Sequence, residues 1–150
     1  CLDSSKQAIA GSKRNFQLNS DNARVTACAH TYITDDAFKA MQQLAMDKKI
    51  YDMVIIDPPS FAKKQKEIAA ALKAYSKLVT LGLGVLRKGG VLVMASCSAH
   101  ISADDFFQTV FLSAKNAGRK LVEIDRSGHA LDHPITFPEG SYLKCLFAKG

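Results

Sequence analysis

Tyr51-Asp52-Met53-Val54-Ile55-Ile56-Asp57-Pro58-Pro59-Ser60-Phe61 carries the first structural signal in this chain. Val54, Ile55 and Ile56 form a continuous apolar run, the pattern of a parallel strand covered by helices on both faces. Pro58 and Pro59 lack an N–H for a neighbouring strand, so the strand stops at Asp57. Asp57 then sits at the carboxyl end of a central strand, the edge at which open α/β sheets bind ligands. A stiff turn that carries a carboxylate and the ring of Phe61 suits gripping a planar substrate. A plain strand-ending turn with an exposed Asp is the competing reading, and it suits Asp-Pro alone better than the whole stretch.

Downstream, Lys63-Lys64-Gln65-Lys66 is a basic loop just beyond that edge. Phosphate contact and simple solvation are equally good readings of it. A helix is expected over 67–86, with Ile68, Leu72, Tyr75, Leu78, Val79 and Leu83 at helical spacing. Lys88-Gly89-Gly90 ends it and turns the chain. Residues 91–95 form a second fully apolar strand, which ends in Ser96-Cys97-Ser98 at the same edge as Asp57. Ser102 caps a helix over 103–117, a strand follows over 121–125, and the last strand covers 142–148. The intervening loop holds Asp132-His133-Pro134 and Pro138-Glu139-Gly140.

Upstream, Cys1-Leu2-Asp3 looks like the tail of a strand, and Ser4 or Ser5 caps a helix running to about residue 19. A carboxylate ending such a strand can hold the two hydroxyls of a ribose, although Asp3 also suits an exposed, frayed terminus. Residues 24–29 read as a short strand and 37–47 as a helix. Asp35 is assigned to capping that helix. Asp36 is the candidate to accept a hydrogen bond from an adenine amine. Strand and helix alternate throughout, which argues a doubly wound α/β sheet in one domain spanning residues 1–150.

Composition is that of a packed globular domain, with 47% hydrophobic and 23% charged residues. No apolar run suggests a bilayer span and no signal peptide is visible. The four cysteines (Cys1, Cys28, Cys97, Cys145) include no CxxC pair, which argues against a zinc site. Three of them fall in or at the end of expected strands, as free thiols of a cytoplasmic protein do. A net charge of +6 permits a nucleic-acid partner.

In this order, Asp57-Pro58-Pro59-Ser60-Phe61, Lys88-Gly89-Gly90, Ser96-Cys97-Ser98, Asp132-His133-Pro134, Pro138-Glu139-Gly140 and Tyr142-Leu143-Lys144 form a pattern. It resembles the class I S-adenosylmethionine-dependent methyltransferases, and more narrowly the bacterial family that methylates cytosine C5 in large-subunit ribosomal RNA. The resemblance implies a Rossmann-like doubly wound sheet with S-adenosylmethionine as cofactor. It implies that Asp3 holds the cofactor's ribose and Asp36 its adenine amine, with Asp57 and Pro58 beside them. Pro59, Phe61, Lys63, Lys64 and His133 would meet a ribosomal RNA substrate. No membrane and no metal are expected as partners, and a homodimer is left open. The family's glycine-rich first strand would precede Cys1, so the chain is expected to be the carboxyl-terminal part of a catalytic domain. Ser60 stands where related cytosine methyltransferases carry a second cysteine.

Cys97 is then the candidate nucleophile and Asp57 its catalytic companion. A thiolate that attacks C6 makes C5 of cytosine enamine-like, and cations or a helix N-terminus favour the thiolate. His133 could carry a proton or be a loop histidine fixed beside Pro134. Cys97 could equally be a small buried strand residue. Two other readings stay open. One is a methyltransferase acting on an amine or ring nitrogen, and the other a non-catalytic RNA- or partner-binding fragment.

Overall fold

The computed structural model describes residues 1–137 and 140–150, so Pro138 and Glu139 of the Pro-Glu-Gly motif lie outside the described residues. In chain order the elements are β1 (Leu2–Asp3), α1 (Lys6–Leu18), α2 (Ala23–Thr26), β2 (Ile33–Thr34) and α3 (Ala37–Met46). They continue with β3 (Tyr51–Ile56), α4 (Ile68–Val85), β4 (Leu86–Ser96), α5 (Ala103–Asn116), β5 (Val122–Ser127) and β6 (Lys144–Lys149). β1 and β2 pair in parallel, and the other four strands form a sheet of order β3-β4-β6-β5. β3 and β4 run parallel, whereas β6 is antiparallel to both of its neighbours.

The helices begin where short polar side chains can satisfy their free N–H groups. Ser5 accepts from the Ala8 N–H at 3.2 Å, and Ser102 from the Asp105 N–H at 3.0 Å. Asn22 does the same for α2, accepting from the Arg24 N–H at 3.0 Å. That cap corrects the strand expected over 24–29: the segment turns into a short helix, and the strand comes later, at Ile33–Thr34. Cys28 therefore lies in a turn instead of a strand. Asp36, not Asp35, is the N-cap of α3, accepting from the Lys39 N–H at 3.0 Å.

α4 is the central helix. It buries Tyr75, Leu78, Val79 and Leu83 and lies between α3 and α5 on the β3–β4 side of the sheet. Val54 and Ile56 point toward it, meeting Gly82, while Tyr51, Met53 and Ile55 alternate onto the opposite face. Ile55 is 66% exposed there, and Val122 and Ile124 of β5 are exposed too. This corrects the expectation that β3 is covered on both sides: it is the edge of the four-stranded sheet, with helix on one face. The stretch Gln65–Val85 also corrects the reading that no run suggests a membrane span. It is long and apolar enough to cross one, but its apolarity is accounted for by packing against the sheet and two helices.

Lys88-Gly89-Gly90 turns the chain inside a strand instead of ending the helix, which stops at Val85. The register jumps from Tyr51 opposite Leu86 to Met53 opposite Val91, so residues 87–90 form an excursion. Gly89 takes a positive φ of 72° there, a region that favours glycine. Arg119 anchors the same corner, donating to the carbonyls of Leu83, Leu86 and Arg87 at 3.1–3.2 Å.

Candidate active site

The carboxyl ends of β3 and β4 lie side by side because the strands are parallel and in register, Ile56 opposite Met94. The segments that leave them are stitched together. Cys97 Sγ lies 3.9 Å from the Pro58 carbonyl oxygen, and Ser98 Oγ donates to the Ala62 carbonyl at 3.0 Å. Asp57 and Cys97 therefore share one edge. Beneath them, the Tyr75 hydroxyl donates to Ser96 Oγ at 2.9 Å, and Ser96 Oγ also accepts from the Ser98 N–H at 3.3 Å. Burial pushes the Tyr75 phenol up. The Ser96 hydrogen bond opposes that shift, and negative charges at Cys97 and Asp57 reinforce it. Phe61 rests edge-on against Tyr75, with ring centroids 5.1 Å apart.

A cavity of about 340 Å³ opens beside this edge, between the two sheets. Asp3, Asp36, Asp57, Pro58, Pro59 and Phe61 line it, together with apolar walls from Phe38, Met41 and Leu78. Three carboxylates thus come from the ends of three different strand segments. Asp3 spends one oxygen on the Ser5 N–H at 2.7 Å, and Asp36 uses Oδ1 as the helix cap, which leaves each a second oxygen for a ligand. The cavity fits a flat, partly apolar molecule with hydrogen-bond donors at its rim. Of the residues expected to meet cofactor, Asp3, Asp36, Asp57 and Pro58 all converge here.

The expected substrate residues divide. Pro59 and Phe61 line the cavity, whereas Lys63 and Lys64 stand exposed on the loop beyond it. The Lys63 N–H donates to Glu67 Oε2 at 2.9 Å, which fixes that loop's start. His133 is not part of the cavity lining. It stacks on His129 with centroids 4.5 Å apart, and Tyr142 stands perpendicular to both rings. His129 Nε2 accepts the Leu143 N–H at 3.1 Å.

Four residues of the edge have no site role legible in the sequence: Tyr75, Ser96, Ser98 and Lys144. Tyr75 is indistinguishable from a core residue by helical spacing alone. Lys144 does carry a signal, because the period of two in β6 sets it on the same side as Leu146 and Ala148.

This is the Rossmann-like fold of the class I methyltransferases, with three-carboxylate cavity and cysteine at the carboxyl edge of its sheet. No family model matches the chain. The chain is 40% identical over 146 residues to a ribosomal RNA large subunit methyltransferase of Deinococcus radiodurans, covering 97% of this chain and 35% of that protein. It is 35% identical over 150 residues to ribosomal RNA large subunit methyltransferase I of Shewanella amazonensis, covering 99% of this chain and 37% of the relative. The chain thus spans little more than a third of the length of these relatives. A Streptococcus mutans protein described as a SAM-dependent methyltransferase superposes with a TM-score of 0.81 at 24% identity, over 99% of this chain and 37% of that one. A protein described as a methyltransferase, complexed with SAH, superposes with a TM-score of 0.78 at 25% identity, over 99% of this chain and 38% of that one.

Proposed function

We propose that this chain belongs to the catalytic part of an S-adenosylmethionine-dependent methyltransferase that modifies cytosine C5 in large-subunit ribosomal RNA. The observation that carries the reading is the juxtaposition at one sheet edge. A cavity lined by Asp3, Asp36 and Asp57 adjoins a turn in which Cys97 approaches the Pro58 carbonyl to 3.9 Å. The names of the relatives support ribosomal RNA as the substrate class. Two carboxylates that line the cavity, each with an oxygen not used on a backbone N–H, suit ribose hydroxyls and an adenine amine of the cofactor, which when bound supplies an electrophilic methyl group.

In this reading Asp3 holds the ribose and Asp36 the adenine. Asp57 orients the cytosine through its N3 or exocyclic amine, and Phe61 and Pro59 pack on the ring. The Cys97 thiolate adds to C6, and the electron pair moves to C5, which then takes the methyl group. The carrier of the methyl group would leave as a neutral thioether, and loss of the C5 proton to water returns the pair to expel the thiolate, so the cysteine is regenerated. Lys63 and Lys64 meet phosphates near the entry, and His133 lies further out, on the loop that precedes β6.

The test uses full-length protein with RNA that carries 5-fluorocytosine. Fluorine at C5 cannot leave as a proton, so the covalent adduct accumulates. A shifted band on a denaturing gel, absent in Cys97→Ser, is expected. An equally strong adduct in Cys97→Ser identifies a different nucleophile. Methylated RNA without any adduct, and with Cys97→Ala fully active, favours transfer to nitrogen instead.

A further inference from the structure

Lys144 is 5% exposed and is the one charged side chain in the buried class among the described residues. Taking an ammonium out of water costs several kcal/mol unless other groups replace its hydration. Here its Nζ donates to the carbonyls of Ser98 and Ile101, at 2.5 and 2.6 Å. Both carbonyls belong to the turn that follows Cys97. The far side of the same turn is held by Ser98 Oγ on the Ala62 carbonyl and by Ser96 Oγ under the Ser98 N–H. The turn that presents the thiol is therefore gripped from β6 on one side and from the Asp57 segment on the other.

We infer that Lys144 is a positioning residue for Cys97: its buried ammonium fixes the turn that carries the thiol and places a positive charge where the thiolate forms. The inference rests on the reading of Cys97 as a nucleophile and extends it. Burial lowers the affinity of the Lys144 amine for its proton, and a negative charge on Cys97 raises it again. The two side chains are therefore close enough for each to feel the other's charge. Two neutral carbonyls orient the ammonium without cancelling its charge. Asp57, Tyr75 and Cys145 are the other titratable groups coupled to this edge. His129 touches the backbone one residue before Lys144, and Arg126 lines the same 420 Å³ cavity as Lys144. Asp105 lies at the start of α5, bonded to Ser102.

The experiment is alkylation of full-length protein with iodoacetamide, followed at the Cys97 peptide by mass spectrometry across a range of pH. Lys144→Gln retains N–H donors for the two carbonyls and loses the charge, whereas Lys144→Arg retains the charge. The Arg variant keeps the charge, although its larger planar group must repack in the buried site, and is expected to react faster than the Gln variant near neutral pH. The Gln variant is expected to slow by about tenfold near neutral pH and to recover at higher pH. A Gln variant with an unchanged profile overturns the inference and leaves the nucleophile reading intact. Methylation of cytosine in RNA without a fluorocytosine adduct overturns the nucleophile reading instead. The 13Cε resonance of Lys144 in unsubstituted protein gives a second reading that needs no variant to fold. It should step at the pH where Cys97 alkylation accelerates, and a flat resonance through that point also overturns the inference.

Discussion

Replacing Gly90 by Ala tests how closely the two strands that carry the site approach each other. A Cβ on Gly90 would lie 2.7 Å from the Asp52 carbonyl oxygen, 2.7 Å from Leu86 Cδ1 and 3.1 Å from the Arg87 carbonyl oxygen. Two of these three atoms are backbone. The Asp52 oxygen belongs to β3, which the ladder with β4 holds in place. Relief requires β3 to move from β4 by at least about 0.3 Å, since real Cβ contacts essentially never fall under 3.0 Å. Overpacking of this kind costs about 2–3 kcal/mol, a large share of a typical domain's 5–15 kcal/mol. Gly82→Ala is the matched control. Its Cβ would meet Ile56 Cδ1 at 2.8 Å and Leu92 Cδ1 at 3.3 Å, both side-chain ends that can rotate. Alanine is also favoured over glycine in a helix by about 1 kcal/mol. Urea unfolding of the full-length protein, with hydrogen exchange of the β3 amides to localise the loss, should show a marked drop for Gly90→Ala. Gly82→Ala should stay within about 1 kcal/mol. The movement would also part Pro58 from Cys97, so the fluorocytosine adduct should fall with stability. A Gly90→Ala protein within about 0.5 kcal/mol of the original would refute the close approach.

Other outcomes follow from the same geometry. Tyr75→Phe removes the hydrogen bond to Ser96 and should cost about 1 kcal/mol. The Tyr75 phenol is raised above its ordinary 10.0 by burial. Its contribution to stability is therefore present below that value and lost as pH rises through the folded value. Alkaline unfolding curves should show that loss in the original protein and lack it in the Phe variant; identical curves would place Tyr75 in a wetter setting. Asp36→Asn keeps the cap and Asp36→Ala loses it at about 1 kcal/mol. Calorimetry with S-adenosylmethionine should show weakened binding in both if the carboxylate receives the adenine amine, and undiminished binding of the Asn variant would reduce Asp36 to a cap. Arg119→Met frees the carbonyls of Leu83, Leu86 and Arg87 and should lower stability by about 2 kcal/mol in thermal melts; no change would mean that water replaces the guanidinium. RNA binding by the full-length protein should weaken steeply with salt as phosphate contacts release counterions, and a flat response would argue against an RNA substrate.

The sequence by itself placed Asp57 and Cys97 at one edge. Parallel strands end on the same side, and prolines or a polar cluster mark where each stops. It also located the α1, α3, α4 and α5 helices to within a residue or two, because apolar spacing and capping side chains are local signals. It misplaced the β2 strand, since Asn22 closes a turn by capping a short helix that apolar composition over 24–29 does not reveal. Only the tertiary structure decided which face of β3 is buried. A run of three apolar residues has no polar member to break the symmetry, and Gly82 of α4 selects Val54 and Ile56. The resemblance assigned Asp3 and Asp36 to one cofactor, but it is the packing that carries them, across dozens of intervening residues, into one cavity with Asp57. The same holds for Lys144: alternation can place a lysine on the inward side of β6, but its ammonium becomes a clamp only because packing carries it to the turn after Cys97, where two carbonyls replace the water that it lost.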